Sequence, residues 1–462
     1  MARNDLSRLG TAPLGKLLRE FGAPAVVSLV VNSVYNIVDQ IFIGWGVGYL
    51  GNAATNVSFP LVAITMALAL LLGNGSCSNF SLSLGRRQPE EAAFFVGNSL
   101  AVESVLGSVL AVFSWVFLTP MLKLFGATPT VLPYAQSYGA ICLIGTPFVM
   151  VTLGLVNLIR ADGSPRWAMW SSLTGALLNV ALDPIFIFDW GLGMGVAGAA
   201  AATVISQMVS FFMTVAYAFR FNSITLQRHH FRIQRQVMSR ILSLGASSLL
   251  NNVTFIIVQI CMNNALVSWG TQSPYGSDIP LSVMGIVMKV NQILIAVLIG
   301  ISIGAQPILG FNYGAGNMGR VRRTYGLSVW TATVVCVLGW SVFQLWPDQV
   351  MELFGRGSDL YFQFARRCFR VYLFTMPIVG YQIVSGLYFQ ATGRPGRSIV
   401  LTLVQRILFM VPAILLLPLA WGFGGLLYTM PVADLAATAA TTLMIVPELR
   451  RLRQLENSRP SE

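Results

Sequence analysis

GNGSCSNFSLSLG at residues 73–85 and GISIGAQPILGFNYG at 300–314 align as two copies of one segment, with Gly75 opposite Gly304 and Gly85 opposite Gly314. Further pairs keep nearly the same spacing. LFG at 124–126, Pro147 and ADGSPR at 161–166 return as LFG at 353–355, Pro377 and ATGRPGR at 391–397, at offsets of 229 and 230. GVAG at 195–198 returns as GFGG at 422–425, at an offset of 227. Agreement of independent pairs on one offset is the signature of an internal duplication.

The duplicated unit is mostly apolar. Of 462 residues 55% are hydrophobic and 10% charged, whereas a soluble chain carries about 25% charged residues. A membrane span needs about 20 predominantly apolar residues. Twelve such stretches are expected near 18–44, 53–84, 92–118, 133–159, 167–188, 195–219, 242–269, 281–311, 325–347, 371–391, 398–418 and 423–445. The fold class that follows is an all-α integral membrane protein of twelve transmembrane helices in two six-helix bundles. The expected division is an N-terminal lobe at 1–219, a cytoplasmic linker at 220–240, and a C-terminal lobe at 241–462 ending in a short tail. An even number of spans per copy sends both halves in from the same side, related by an axis along the membrane normal.

The net charge of +12 is spread through alternate connections, so it sets orientation and does not mark a nucleic-acid surface. Of 29 Lys and Arg residues, 22 fall on the side that holds both termini. By the positive-inside rule both termini are expected in the cytoplasm. The polar start, MARNDLSRLGTAPLGKLLREFG, leads into a span-length run without a small-residue cleavage site, so no removable signal is expected. The five cysteines have no ligand spacing, and four lie inside expected spans, which argues against a disulfide or metal framework.

Ionisable residues inside hydrocarbon are costly and are functional candidates by default. They are Asp39, Glu103 and Asp183 in the first half and Lys289, Arg406 and Asp434 in the second. Asp39 ends a run in which Ser28, Asn32, Tyr35, Asn36 and Asp39 recur at three- and four-residue steps, one face of a helix. Ser172, Asn179 and Asp183 repeat the pattern on the fifth span, and Thr203, Ser206, Gln207 and Ser210 on the sixth. Three stripes imply one internal cavity in the first half. Two carboxylates there suit proton or Na⁺ coupling, and oxygens of Asn179 and Thr203 would complete a hard-cation shell. Pairing with neighbouring amides is the structural alternative. Glu103 has no stripe and reads as an interhelical contact. Lys289, Arg406 and Asp434 form a possible charge-neutralising cluster in the second lobe. Pro24 reads as a hinge or an ordinary first-turn proline.

GVGYLG at 46–51 and GMGVAG at 193–198 satisfy the dinucleotide spacing but follow membrane helices instead of strands, so close packing and tight turns explain them. There is no Walker A, HExxH or G-x-S-x-G, and an enzyme is not expected. The only histidines, His229 and His230, sit in the basic linker and read as a solvated pair.

The runs APAVVSLVVNSVYNIVDQIFIGWGVG (23–48), FPLVAITMALALLLGNGSCSNFSLSLG (59–85), NVALDPIFIFDWGLGMGVAGAAAATVISQ (179–207) and GAQPILGFNYGAGN (304–317) resemble the multidrug and toxic compound extrusion (MATE) transporters, in particular their MepA-like and DinF-like branch. The resemblance covers nearly the whole chain. It implies two bundles around a V-shaped cleft and export of cationic or amphipathic compounds driven by H⁺ or Na⁺ influx. Residue by residue, it implies that Asp39 is the first-helix acid, Asn179 and Asp183 the fifth-helix pair, and Thr203 the sixth-helix hydroxyl. Asn157 matches a fourth-helix Asn and Pro24 a first-helix proline linked to bending. Tyr35, Asn36, Asn157, Ser206 and Gln207 are expected around the cavity. TMPIVGYQIVSGLYFQATG (375–393) lacks the tenth-helix acid of the other large branch.

The expectation is a monomeric multidrug/cation antiporter in a bacterial cytoplasmic membrane. It needs no cofactor beyond its coupling ion, and its partners are small organic cations and membrane lipids. A lipid-linked precursor flippase, a membrane enzyme and a passive channel remain alternatives. The second lobe is expected to serve mainly as moving partner and cleft wall.

Overall fold

The computed structural model describes residues 4–276, 278–352 and 359–457. Among them the chain is helical and turns only at short joints. This is what hydrocarbon demands, since each backbone N–H and C=O must find its partner inside its own segment. The second LFG of the repeat, 353–355, lies outside the described residues.

The first half contains α1 (Leu14–Val47), α2 (Tyr49–Gly85), α3 (Pro89–Val116), α4 (Leu132–Ala161), α5 (Pro165–Ile187) and α6 (Gly195–Ala218). The second contains α7 (Arg235–Gly270), α8 (Asp278–Gly314) and α9 (Met318–Leu345). Next comes α10, formed by Asp359–Tyr372 and Met376–Ala391 with a 50° bend between them. Pro395–Leu403, a π-helical turn at Val404–Met410 and Val411–Trp421 make α11; α12 is Thr429–Asn457. Gly422, at φ +59°, breaks the chain between α11 and α12, which fold back on each other. Taken this way, the described residues make the twelve expected crossings.

Several boundaries depart from expectation; α9 begins at Met318 and α10 at Asp359, ahead of the expected 325 and 371. Arg235–Arg240 belong to α7 and not to the linker, and α12 runs to Asn457 instead of ending near 445. The reason for the last is a buried ion cluster. Glu448 is 1% exposed and accepts from Arg394 and, at 2.9 Å, from Arg397. That cluster keeps the last turns of α12 on the bundle.

The outer surface is apolar. Trp45, Trp115, Trp190, Trp346 and Trp421 are exposed at the helix ends opposite the linker, where an aromatic belt marks a membrane–water interface.

The duplicated segments meet each other. A methyl group on Gly85 of α2 would collide with the Phe311 carbonyl of α8, and one on Gly314 of α8 with the Leu82 carbonyl of α2. Leu82 and Phe311 are themselves repeat equivalents. The same reciprocity holds one layer further in, where Gly75 lies against Ile241 and Gly245 of α7 while Gly304 lies against Gly22 of α1. Small residues let helix backbones approach this closely. Hydrogen bonds reinforce the seam, with Gln306 Nε2 donating to Ser78 Oγ at 2.9 Å and Asn74 Nδ2 to Ser248 Oγ at 2.9 Å. All of these contacts lie in the half of the molecule nearer the linker.

The two glycine-rich motifs behave as packing and turn elements. Gly48 (φ +79°) turns α1 into α2 and Gly46 lies on Ile187. Gly193 (φ +60°) and Gly195 (φ +56°) shape the turn into α6.

The linker is largely exposed but is anchored at a few buried points. His230 is fully buried, and both His229 and His230 place Nε2 at 3.0 and 2.9 Å from Glu90 Oε1. Asn98 on α3 donates to the carbonyls of His230 and Arg232 at 3.0 and 3.1 Å. Before them, Asp162 accepts from the Tyr217 hydroxyl and the Asn222 amide at 2.7 Å and from the Ser223 amide at 3.0 Å. Burial pushes the Asp162 carboxyl above its ordinary range despite these donors. The expectation of a solvated pair holds for His229, which is exposed, and fails for His230, whose ring is docked against Phe94.

Candidate functional site

The α1 and α5 helices pack together in the first lobe, and each brings a carboxyl group to the contact. Asp39 is 7% exposed and Asp183 is fully buried. The two face each other within hydrogen-bonding reach. One helical turn before Asp183, Asn179 donates from Nδ2 to Asp183 Oδ1 at 3.0 Å and to Thr203 Oγ1 of α6 at 3.3 Å. Gln40 reaches Asp39 from the next position on α1. It is held by Thr55, whose Oγ1 donates to Gln40 Oε1 at 3.2 Å.

Asp39 Oδ1, Asp183 Oδ2 and Asn179 Oδ1 are buried without any donor, and no ion pair to either acid occurs among the described residues. Buried polar atoms in native proteins nearly always have a partner. Three orphaned oxygens from two helices are a donor set for a proton and a hard cation, and the Thr203 hydroxyl stands beside them.

Tyr35 lies next to both acids, as its place on the α1 stripe implies. Tyr138 and Cys142 of α4 also face Asp39. Sequence reasoning missed these two. Their one-turn spacing, with Gly145 on the same side, was the available signal, but no charge drew attention to it.

Several expected members lie elsewhere. Asn157 is not in this pocket. It donates to Asn74 Oδ1 at 3.0 Å and accepts from Arg160 at 2.9 Å, behind the inter-lobe seam. The reason is depth: Asn157 sits four residues from the end of α4 whereas Asp183 sits eighteen into α5, a separation of about 20 Å at 1.5 Å per residue. Asn36 is exposed and donates to the Asn32 carbonyl at 2.6 Å. Ser206 is buried on α6, and Gln207 rests its amide oxygen on Gly145 of α4. Pro24 is buried in an unbroken α1, and the Ser28 hydroxyl donates to its carbonyl at 2.9 Å. Glu103 packs its carboxyl on Gly154 and accepts from Ser99 at 3.1 Å.

In the second lobe the expected three-member cluster does not form. Lys289 is exposed on α8, and among the described residues neither Lys289 nor Arg406 makes an ion pair with Asp434. Asp434 is instead satisfied by neutral donors, the Thr375 hydroxyl at 2.7 Å and the Gln405 amide at 3.0 Å. A polar stripe was also missed here. Asn252, Gln259 and Asn263 share one face of α7, with Gln259 donating to Asn263 at 3.2 Å. Neutral amides carry no formal charge, so a census of ionisable groups passes over them.

The comparisons with known proteins agree with this architecture. The multidrug export protein MepA of Staphylococcus haemolyticus (strain JCSC1435) is 24% identical over 440 residues, covering 94% of each chain. Its counterpart in Staphylococcus aureus (strain MSSA476) is 24% identical over 438 residues at the same coverage. Among solved structures, a MOP superfamily transporter from Pyrococcus furiosus superposes with a TM-score of 0.90 at 21% identity, over 98% of this chain and 99% of that one. A MATE in a bent conformation gives the same score and identity over 99% and 100%. These likenesses show the two-lobed fold. A family model, MatE, matches residues 24–185 and 252–415, one block in each half of the duplication. The chain belongs to the MatE family.

Proposed function

We propose that the protein is a secondary active exporter of cationic or amphipathic organic compounds, coupled to H⁺ or Na⁺ entry at the Asp39–Asp183 pair. The observation that carries this reading is the meeting of two carboxyl groups, from two helices, with orphaned oxygens and no basic partner. Two ionised carboxylates about 4 Å apart repel by about 4 kcal/mol at an effective dielectric of 20. A proton or a cation between them removes that repulsion, so the α1–α5 contact is tighter when loaded and looser when empty. Asn179 and Thr203 hold Asp183 in place; Asp39, on α1, is the member that moves. The excess of Lys and Arg on the side that holds the termini supports a cytoplasmic position for the seam. The arrangement is then outward-facing, the state that loads ions from outside and has released its substrate. The staphylococcal relatives are multidrug export proteins, which supports the same substrate class.

The test is dye efflux from proteoliposomes with H⁺ and Na⁺ gradients imposed separately. Wild type extrudes a cationic dye under at least one gradient, and Asp39→Asn uncouples extrusion from it. Full ion-driven efflux by Asp39→Asn overturns the proposal.

A further inference from the structure

The π-helical turn at Val404–Met410 interrupts α11 in mid-course. Natural helices tend to keep such turns at functional sites. This one presents Arg406, whose guanidinium lies over the Phe255 ring of α7 at 5.4 Å from the centroid. Phe255 shares its helix face with Asn252, Gln259 and Asn263, at steps of three and four residues. A polar face on a helix inside hydrocarbon lines protein or a water-filled space rather than lipid. Arg406 therefore stands beside the polar face of α7.

Its guanidinium makes no ion pair among the described residues. Asp434 is within electrostatic reach, yet both of its oxygens are engaged by Thr375 and Gln405. Arg406 Nε is buried without an acceptor. So is the hydroxyl of Tyr372, a fully buried residue also within electrostatic reach of the guanidinium. Two unpartnered donors, one of them on a guanidinium, are the complement of an anion. Depth selects the kind of anion. Arg406 lies eleven residues into α11, about 16 Å from its start at 1.5 Å per residue, near the middle of a bilayer core about 30 Å thick. Resting lipid phosphates stay at the interface, so the group that reaches this depth belongs to a small molecule.

Resting on the export reading, we propose that the second lobe holds an anion subsite centred on Arg406, which takes the carboxylate of an amphipathic or zwitterionic organic substrate. The first lobe handles the coupling ion. The substrate range then extends from pure cations to molecules that also carry a carboxylate.

The full chain in phosphatidylcholine vesicles is titrated with dansylglycine and with its uncharged amide, and ethidium efflux is followed in parallel. Wild type binds the acid tighter than the amide by about tenfold or more, the range of a charge-assisted hydrogen bond. Arg406→Gln abolishes the preference, Arg406→Lys keeps part of it, and Tyr372→Phe lowers it, while ethidium efflux persists in all three. Equal binding of acid and amide by wild type overturns the subsite. So does a Gln variant that weakens both ligands and ethidium efflux alike, the mark of a structural role. Loss of the preference when phosphatidylglycerol is added assigns the guanidinium to a lipid head group and also overturns it. Failure of wild type to move ethidium under any ion gradient sinks the export reading, and the binding difference is judged apart from it.

Discussion

Placing a methyl group in the glycine seam should tip the molecule away from the closed arrangement described here. Gly85→Ala puts a Cβ onto the Phe311 carbonyl, and Gly314→Ala puts one onto the Leu82 carbonyl. Neither obstacle is a side-chain end that swings aside; both are backbone. Over-packing of this kind typically costs about 1–3 kcal/mol, which corresponds to roughly a 5- to 150-fold change in the ratio of closed to open molecules. The repeat adds a sharper requirement. Because Gly85 and Gly314 face each other's equivalents across a pseudo-twofold axis, the two variants should shift the ratio by similar amounts. The double variant should shift it by less than the product, since one opening relieves both clashes. Spin labels on the exposed residues Arg166 and Arg450, one in each lobe at the linker end, report the separation by pulsed electron resonance. Gly386→Ala, which meets nothing within 4 Å, is the control and leaves the distribution in place. An unchanged distribution in Gly85→Ala, or a response from only one of the two seam glycines, would refute the reasoning.

Asn179→Ala frees both Asp183 and Thr203 and should lower ion-driven efflux steeply while leaving the thermal midpoint nearly unchanged; a large fall in the midpoint with efflux intact would reverse that assignment. Asp162→Ala removes the acceptor of Tyr217, Asn222 and Ser223, at a cost of about 1–3 kcal/mol, and should speed amide exchange over residues 219–224. The pH sign follows from burial. The Asp162 carboxyl binds its proton more tightly folded than unfolded, so its contribution is fully present below the ordinary value of 3.8 and declines as pH rises through the raised folded value. Asp162→Asn should flatten that slope in pH-dependent melting. Gly154→Ala drives a methyl group into the Glu103 carboxyl and should destabilise by about 1–3 kcal/mol, whereas Glu103→Gln should be tolerated.

Much of the fold was legible because membrane helices are written in long apolar runs and because duplication repeats its landmarks. The segments at 73–85 and 300–314 identified the halves, and they turned out to be the surfaces along which the halves touch. The acid pair was legible too, since Asp39, Asn179 and Asp183 stand out in apolar helices at one-turn spacing. What sequence did not give was depth. Asn157 is polar, intramembrane and matched to the family, yet the end of α4 carries it to the seam instead of the pocket. Charge also drew attention from neutral groups. Tyr138, Cys142 and the α7 amides line the two lobes' inner faces without one formal charge among them. His230 misled for a related reason, as a basic stretch on paper reads as solvated while hydrogen bonds from Asn98 to the His230 and Arg232 carbonyls hold it on α3.

The most direct test of the coupling claim is the affinity of the purified protein for a cationic substrate, measured by calorimetry across a range of pH and Na⁺ concentration. If substrate and ion are linked through Asp39 and Asp183, affinity falls as the coupling ion is raised, approaching one tenfold step per tenfold rise for a single ion. The dependence disappears in the Asp39→Asn, Asp183→Asn double variant, which still binds substrate. An affinity that ignores both ions in wild type, or an ion dependence that survives the double variant, would contradict the account.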